Sequence, residues 1–113
     1  MLYTEIKTML GETGLPITYL SWPEKQAPVL PYIVWYLPNS DNFGADDKVY
    51  KPIEALNVEL YTQNKDFDTE TLVEGVLESH GIFWNKTEAY LDDEHMYEVL
   101  YEMQIVIDEE TTP

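Results

Sequence analysis

One stretch of the chain concentrates side chains that bind cations. The segment PNSDNFGADDKVY, residues 38–50, carries Asp41, Asp46 and Asp47 around a single glycine. Carboxylates are oxygen ligands that calcium prefers, but the EF-hand pattern also needs an oxygen ligand at its fifth position and a glutamate at its twelfth. In the best register both places are aromatic, so the pattern fails. A looser site at the three aspartates stays open beside the simpler interpretation, a solvated turn.

Other chemical motifs are weaker. Residues 38–50 have one glycine and no following Lys-Ser or Lys-Thr, so they do not form a phosphate-binding loop. The run DDEH, residues 92–95, favours a hairpin turn over a metal site, because consecutive side chains in a turn diverge. His80 follows a helical pattern as a partly packed capping residue, and the adjacent Ser79 has no supporting pattern for catalysis. We therefore expect no catalytic residue, cofactor or metal ion, and no enzyme.

The charge balance limits the partners. Six basic residues, all of them lysine, face 22 acidic ones, which gives a formal net charge of -16. A phosphate backbone is bound by basic side chains that displace counterions, and arginine supplies the bidentate fork. Sequence-specific binding of nucleic acid is therefore not expected, and a partner should offer basic or apolar surface.

Composition narrows the class further. The chain has no cysteine, which excludes disulfides, thiolate nucleophiles and cysteine-bound zinc. No apolar run approaches the length that spans a bilayer, and no leader pattern precedes the first helix, so we expect a soluble protein of cytosolic origin without a membrane partner. The length of 113 residues fits one domain, which we place at residues 1–107, followed by a frayed acidic tail at 108–113.

Two segments have helical periodicity. The first is at the N-terminus and ends near two glycines; its apolar positions are Leu2, Ile6, Met9 and Leu10. The second, residues 66–81, begins with the capping candidates Asp66 and Asp68 and stops at Gly81. Its predicted packed stripe is Leu72, Val73, Val76, Leu77 and His80.

The remaining segments have strand patterns. LPITYLSW at 15–22 is a short strand, and YIVWYL at 32–37 is apolar throughout, as expected of a strand covered by core on one face and by a helix or another subunit on the other. Residues 53–62 alternate, with Leu56, Val58, Leu60 and Thr62 on one face. Two further strands, IFWNKTEAYL and MYEVLYEMQIVI, flank DDEH. The order α-β-β-β-α-β-β predicts an α+β fold, with a single mainly antiparallel sheet of four to five strands and two helices on one face.

The chain is rich in the aromatic residues that protein interfaces favour. Three tryptophans, Trp22, Trp35 and Trp84, accompany nine tyrosines. A small domain buries roughly half of such a set. We expect the remainder to lie at protein interfaces, where tyrosine and tryptophan are enriched.

Several segments together resemble a known family. They are TGLPITYLSW, APVLPYIVWYLPNSDNFGADDKVY, IEALNVELYTQNKD and GIFWNKTEAYLDDEHMYEVLYEMQIVI. The chain is similar over nearly its whole length to tail completion proteins, also called tail terminators or tail-to-head joining proteins, of long-tailed phages and prophages of Gram-positive hosts. The most specific part is at residues 31–36 and 42–50, where this chain has Leu30 before Pro31 and an additional tryptophan, Trp35.

The resemblance implies a structural protein of the virion tail, made in the bacterial host cytoplasm. Such proteins form a hexameric ring on the tail tube protein, stop its polymerisation and meet the head connector protein. DNA passes through the lumen of the ring, where an acidic wall repels phosphate. The resemblance brings no catalytic residues. We expect the loop at 38–51 to lie at a ring surface, with interaction residues Trp35, Tyr36, Asp41, Asn42, Phe43, Gly44, Asp46, Asp47 and Tyr50.

Two alternatives remain open at this point. One is another component of the head-to-tail connector, an adaptor or stopper, which shares the ring symmetry but lies on the head side. The other is an acidic DNA mimic that inhibits a host nucleic-acid-binding protein. A mimic would carry its carboxylates along one exposed stripe, whereas here they are spread over helices, turns and strands.

Overall fold

A computed structural model describes residues 1–45 and 48–108, with the side chains of 43–50 outside the description. It contains two helices and seven strands. In chain order they are α1 (Tyr3–Gly11), β1 (Ile17–Tyr19), β2 (Tyr32–Tyr36), β3 (Phe43–Ala45), β4 (Lys48–Lys51), β5 (Ile53–Thr62), α2 (Phe67–Ser79), β6 (Trp84–Leu91) and β7 (Met96–Val106).

The principal sheet has five strands in the order β1-β2-β5-β7-β6. Its β2–β5, β5–β7 and β7–β6 pairings are antiparallel, and β1 pairs with β2 in parallel. The sheet is therefore mixed, with antiparallel pairs in the majority. The predicted α+β class and the element order are confirmed for this sheet and its two helices.

The segment between β2 and β5 departs from the expected plain loop. Residues 43–45 and 48–51 form a separate two-stranded antiparallel sheet, β3–β4, whose register shifts between Phe43 and Gly44. The prediction of a simple inter-strand loop was wrong here, because the aromatic and β-branched residues interspersed among the acidic ones favour extended pairing. Asp46 and Asp47 lie outside the described residues.

The alternating pattern of β5 builds the core. Leu56, Val58 and Leu60 are fully buried and Thr62 is 4% exposed, as their shared face predicted. The facing positions of β7 complete the layer with Val99, Tyr101, Met103 and Ile105. A side-chain period of two placed these residues on one side of the sheet, because successive residues of a strand point to opposite faces.

Both helices pack on that same face. The residues Ile6, Met9 and Leu10 of α1 and Val73 and Leu77 of α2 share one apolar cluster with the sheet. Asp66 caps α2 as predicted, since its carboxylate accepts a hydrogen bond from the Thr69 backbone N–H at 3.0 Å. Leu72 is 44% exposed and His80 is exposed as well, so their predicted places in the packed stripe were wrong. Glu70 is buried on α2 instead.

The apolar strand β2 is covered within the monomer. Ile33 faces the core, while Tyr32 and Val34 point to the other side and are still 9% and 6% exposed. The ring of Trp22, from the connection between β1 and β2, meets Tyr32 edge to face at 5.6 Å. The expectation that a helix or another subunit covers this side was therefore wrong for Tyr32, since the chain's own connection contacts it.

The ends of the elements follow local rules. Gly81 takes a φ of +71° after α2, a conformation that favours glycine. The run at 92–95 is the turn between β6 and β7, as predicted. Asp108, after the end of β7, is hydrogen-bonded to the N-terminal residue, because its N–H donates to the Met1 carbonyl at 2.9 Å. No helix among the described residues is long and apolar enough to cross a bilayer.

Candidate interaction surface

The principal sheet has one face that carries no helix, and we call it the open face. The residues on it follow from the register, because paired residues across a sheet share a face and successive ones alternate. It consists of Tyr32, Val34 and Tyr36 of β2, the odd-numbered residues of β5, the even-numbered residues of β7 and the odd-numbered residues of β6.

A half-buried carboxylate lies near the middle of the open face. Burial raises the pKa of Glu59, and the neighbouring Glu98 carboxylate raises it further. The Tyr61 hydroxyl donates a hydrogen bond to Glu59 Oε2 at 2.9 Å, which partly offsets the increase. Burial and this carboxylate in turn raise the pKa of Tyr61. The isolated chain thus keeps a poorly compensated negative charge on this face.

Aromatic rings cover one end of the open face. Tyr32 lies between Trp22 and Tyr61, with ring centroids 5.6 Å and 5.4 Å away. The Trp22 indole Nε1 is buried without a hydrogen-bond partner in the described part of the chain. Tyr36, further along β2, is half-buried, and its hydroxyl accepts a long hydrogen bond of 3.4 Å from Asn57.

A groove of about 740 Å³ lies at the opposite end. It is lined by the N-terminal residue and by the segment that enters β6, where Phe83 is 80% exposed. Its wall combines amides and a carboxylate with apolar side chains. The lining residues are Met1, Ala55, Asn57, His80, Gly81, Ile82, Phe83, Asn85, Glu102, Met103, Gln104, Ile105 and Val106.

None of the described side chains on the open face is positively charged. Lys86 is the only lysine in the five strands of the principal sheet, and it points toward the helices. The open face therefore presents Glu59, Glu98 and Glu102 between aromatic and amide groups, without a lysine in these strands to neutralise them. Such a face matches a partner that brings basic and apolar groups.

The helix side carries the opposite arrangement, a compact ion network. Glu70 of α2 is 3% exposed and contacts the Lys65 ammonium at 2.6 Å and the Lys86 ammonium at 3.2 Å. Lys86 also contacts Glu74 at 2.9 Å, and Lys65 contacts Glu88 at 2.5 Å. The hydrogen bond to Glu74 is the main reason that the pKa of Lys86 is raised. A buried carboxylate needs such partners.

A buried tyrosine completes this network. The Tyr101 side chain is fully buried, and its hydroxyl donates to Glu74 Oε2 at 2.7 Å. Its ring meets Trp84 edge to face at 5.5 Å. Burial, followed by the hydrogen bond to Glu74, raises the pKa of Tyr101. The network joins α2 to β6 and β7, and each of its charged groups contacts at least one group of opposite charge.

A second polar contact joins the two helix ends. His80 is the residue that caps α2, as predicted, and its Nε2 lies 2.9 Å from a carboxylate oxygen of Glu12, the capping residue of α1. The pair links the helices at the edge of the groove that His80 lines.

The predicted interaction residues are divided between different parts of the molecule. Trp35 lies on the helix side, half-buried against the core and edge to face with Tyr19 at 4.8 Å, whereas Tyr36 lies on the open face. Asp41 and Asn42 are exposed, and the Asn42 side chain accepts a hydrogen bond from the Ile53 N–H at 3.2 Å. Phe43 and Gly44 belong to β3 and Tyr50 to β4, with their side chains outside the description, as are Asp46 and Asp47 entirely.

Metal ligands do not converge in the part of the chain that the structure describes. Within residues 1–45 and 48–108, no group of three or more His, Asp or Glu side chains is placed to hold an ion. The loose cation site at Asp41, Asp46 and Asp47 cannot be assembled from described residues, since two of its three members lie outside them.

The residues that determine the charge distribution on the two faces of the sheet were not predicted from the sequence. Glu59 and Glu98 are 39 positions apart in the sequence and adjacent only because β5 pairs with β7. Lys86 and Glu70 are in contact although they are 16 positions apart in the sequence, and Tyr101 and Glu74 although they are 27 positions apart. The one local indication was the spacing of Glu70 and Glu74, which places both on one side of α2.

Comparison with known proteins gives a likeness of fold. No protein-family model matches the chain, and no curated protein matches it significantly. Among solved structures it is similar to a chain in the virion of a native gene transfer agent particle, with a TM-score of 0.59 and 9% sequence identity. The alignment covers 92% of this chain and 90% of the other. The chain therefore shares its fold, almost from end to end, with a protein of that virion.

Proposed function

We propose that this chain is a structural virion protein of a tailed phage or prophage, and that it acts as a tail terminator or tail completion subunit. It caps the tail tube as a ring, taken to be hexameric, and joins the tail to the head connector. The observation that carries the proposal is the fold likeness to a chain of the gene transfer agent virion over 92% of the chain. The sequence resemblance to tail completion proteins supplies the more specific role.

The open face supports a role in assembly. An isolated subunit with three glutamates and no lysine on this face keeps unfavourable charge that a basic partner removes. Tyr36 and Tyr61, which are half-buried, add the amphipathic aromatic surface that interfaces favour. We assign the open face as a contact surface for the tail tube protein, the head connector protein or a neighbouring subunit.

The net charge fits passage of DNA. A ring of subunits that each carry -16 presents a negative lumen, and a wall without arginine does not hold phosphate. The β3–β4 hairpin and the residues that lead into it, Asp41 and Asn42, form a second proposed contact region at the ring surface. An isolated two-stranded hairpin is at best marginally stable in water, so a neighbouring chain is expected to support it.

The test is electron microscopy of lysates from the parent phage with this gene deleted. Tails of uncontrolled length beside DNA-filled heads without tails are the expected result. Tails of normal length that remain unjoined would assign the protein to the connector, as an adaptor or stopper. Normal infectious particles would overturn the structural role and favour the DNA-mimic alternative, which pull-down of a basic host nuclease would then examine.

Complementation with two charge-matched variants tests the open face itself. Glu98→Lys places a cation on the open face beside Glu59, and Glu78→Lys makes the same charge change at an exposed position of α2. We expect Glu98→Lys to fold and to fail in complementation, while Glu78→Lys restores infectivity. Equal complementation by both variants would contradict the assignment of this face.

A further inference from the structure

The outer edge of β6 is a long strand edge that pairs with no other strand in the described part of the chain. β6 is the last strand of the principal sheet and spans eight residues, Trp84–Leu91. The side chains between Trp84 and Leu91 are exposed on both faces. An edge of this length presents a row of backbone donors and acceptors that another strand can pair with.

The backbone groups that face outward follow from the sheet register. The Ile107 N–H donates to the Pro52 carbonyl across β5 and β7, so the odd-numbered residues of β7 bond to β5 and the even-numbered ones to β6. In the β6–β7 register, Asn85, Thr87 and Ala89 then bond to β7. The even-numbered residues of β6 therefore direct their N–H and C=O groups away from the sheet.

The side chains of β6 are self-complementary about Thr87. In an antiparallel pair of two copies centred there, Lys86 faces Glu88 of the second copy and Trp84 faces its Tyr90, each pair occurring twice. The paired residues are the ones whose backbone N–H and C=O groups face outward, so they can form the hydrogen-bonded pairs of an antiparallel ladder. Beyond them, the 80% exposed Phe83 comes opposite Leu91. Opposite charges and aromatic pairs across strands are stabilising contacts.

The two charged residues of β6, Lys86 and Glu88, each form an ion pair within the monomer. Lys86 is fixed on the helix side by Glu74 at 2.9 Å, and Glu88 by Lys65 at 2.5 Å. Between Trp84 and Leu91, β6 has neither a proline nor a bulge, and Lys86, a type of residue that can protect an edge, is bound to Glu74 on the helix side.

We propose that two copies of this chain pair through β6 in an antiparallel, isologous dimer centred on Thr87, which joins their sheets into one. The inference goes beyond the proposed virion role and is tested on the isolated protein, so either can fail without the other. Because strands add at the edge, the pairing leaves the open face of each copy uncovered. The net charge of -16 on each copy opposes association, so added salt strengthens the dimer.

Cysteine cross-linking tests the register, since the chain has no cysteine of its own. Two Thr87 residues face each other in a non-hydrogen-bonded pair, with Cα atoms about 4.5 Å apart. Two Ala89 residues lie four positions out of register, about 14 Å apart, beyond the reach of a disulfide. Ala89→Cys is therefore the matched control, exposed on the same face of the same strand.

Under mild oxidation we expect Thr87→Cys to give at least five-fold more covalent dimer than Ala89→Cys. A mixture of Asn85→Cys and Ala89→Cys should link to each other, because these positions face one another in the proposed register. Sedimentation of the unmodified protein should show a mass that rises toward the dimer with concentration and with salt. Equal cross-linking of Thr87→Cys and Ala89→Cys, or a monomer at every concentration and salt level, would overturn the proposal.

Discussion

The contribution of the helix-side ion network to stability can be tested by removing the hydroxyl oxygen of one buried tyrosine. Tyr101→Phe keeps the ring against Trp84 and deletes only the hydroxyl that donates to Glu74 at 2.7 Å. A hydrogen bond to a charged group contributes about 1.5–3 kcal/mol. Glu74 still contacts the Lys86 ammonium at 2.9 Å and is 19% exposed, so the loss of the Tyr101 hydrogen bond is partly compensated. We therefore expect the lower end, about 1.5 kcal/mol of unfolding free energy.

Urea unfolding followed by tryptophan fluorescence is the assay, because Trp84 contacts the altered ring. With a slope of about 1.5 kcal/mol per molar urea, the midpoint should fall by about 1 M. Tyr36→Phe is the control: its hydroxyl is 3.4 Å from the Asn57 amide, and the change should stay within about 0.5 kcal/mol.

A double-mutant cycle with Glu74→Ala separates the pair from its surroundings. Direct contact predicts a coupling free energy of about 0.5–3 kcal/mol between the two sites. A Tyr101→Phe protein as stable as the unmodified one, or a coupling near zero, would refute the conclusion that this hydroxyl joins α2 to the sheet.

Two further predictions concern the pH dependence of stability. Asp66→Ala removes the cap of α2 and should lower the free energy of unfolding by about 1 kcal/mol at pH 7. The hydrogen bonds from Thr69 lower the pKa of Asp66. The stabilisation by the cap is therefore lost as pH falls from about 3.9 through the lowered pKa. A cost that stays constant as the pH falls below about 3.9 would contradict the conclusion that the Asp66 carboxylate caps α2. Glu59→Gln should raise the melting temperature at pH 7, because burial and Glu98 raise the pKa of Glu59 and its charged form is therefore destabilising. This gain should vanish as pH falls through the raised pKa toward about 4.3, and a lower melting temperature at pH 7 would show that the Tyr61 bond dominates.

Much of the secondary structure was determined by local sequence. The alternation in β5 placed Leu56, Val58 and Leu60 on the core face, and the Asp66 carboxylate and Gly81 marked the two ends of α2. These patterns succeed because their physical causes act over a few residues: the strand pleat, the helix repeat, an unpaired backbone N–H and a positive φ.

The pairing of distant segments was decided only by the tertiary structure. The parallel pairing of β1 with β2, the contact of Trp22 with Tyr32 and the approach of Glu98 to Glu59 join segments whose separate patterns contain no information on register. The sequence by itself set the total charge and the residues that each strand exposes on either face. Which carboxylates are neutralised depends on strand order, because an ion pair forms only where two side chains are brought within a few ångströms.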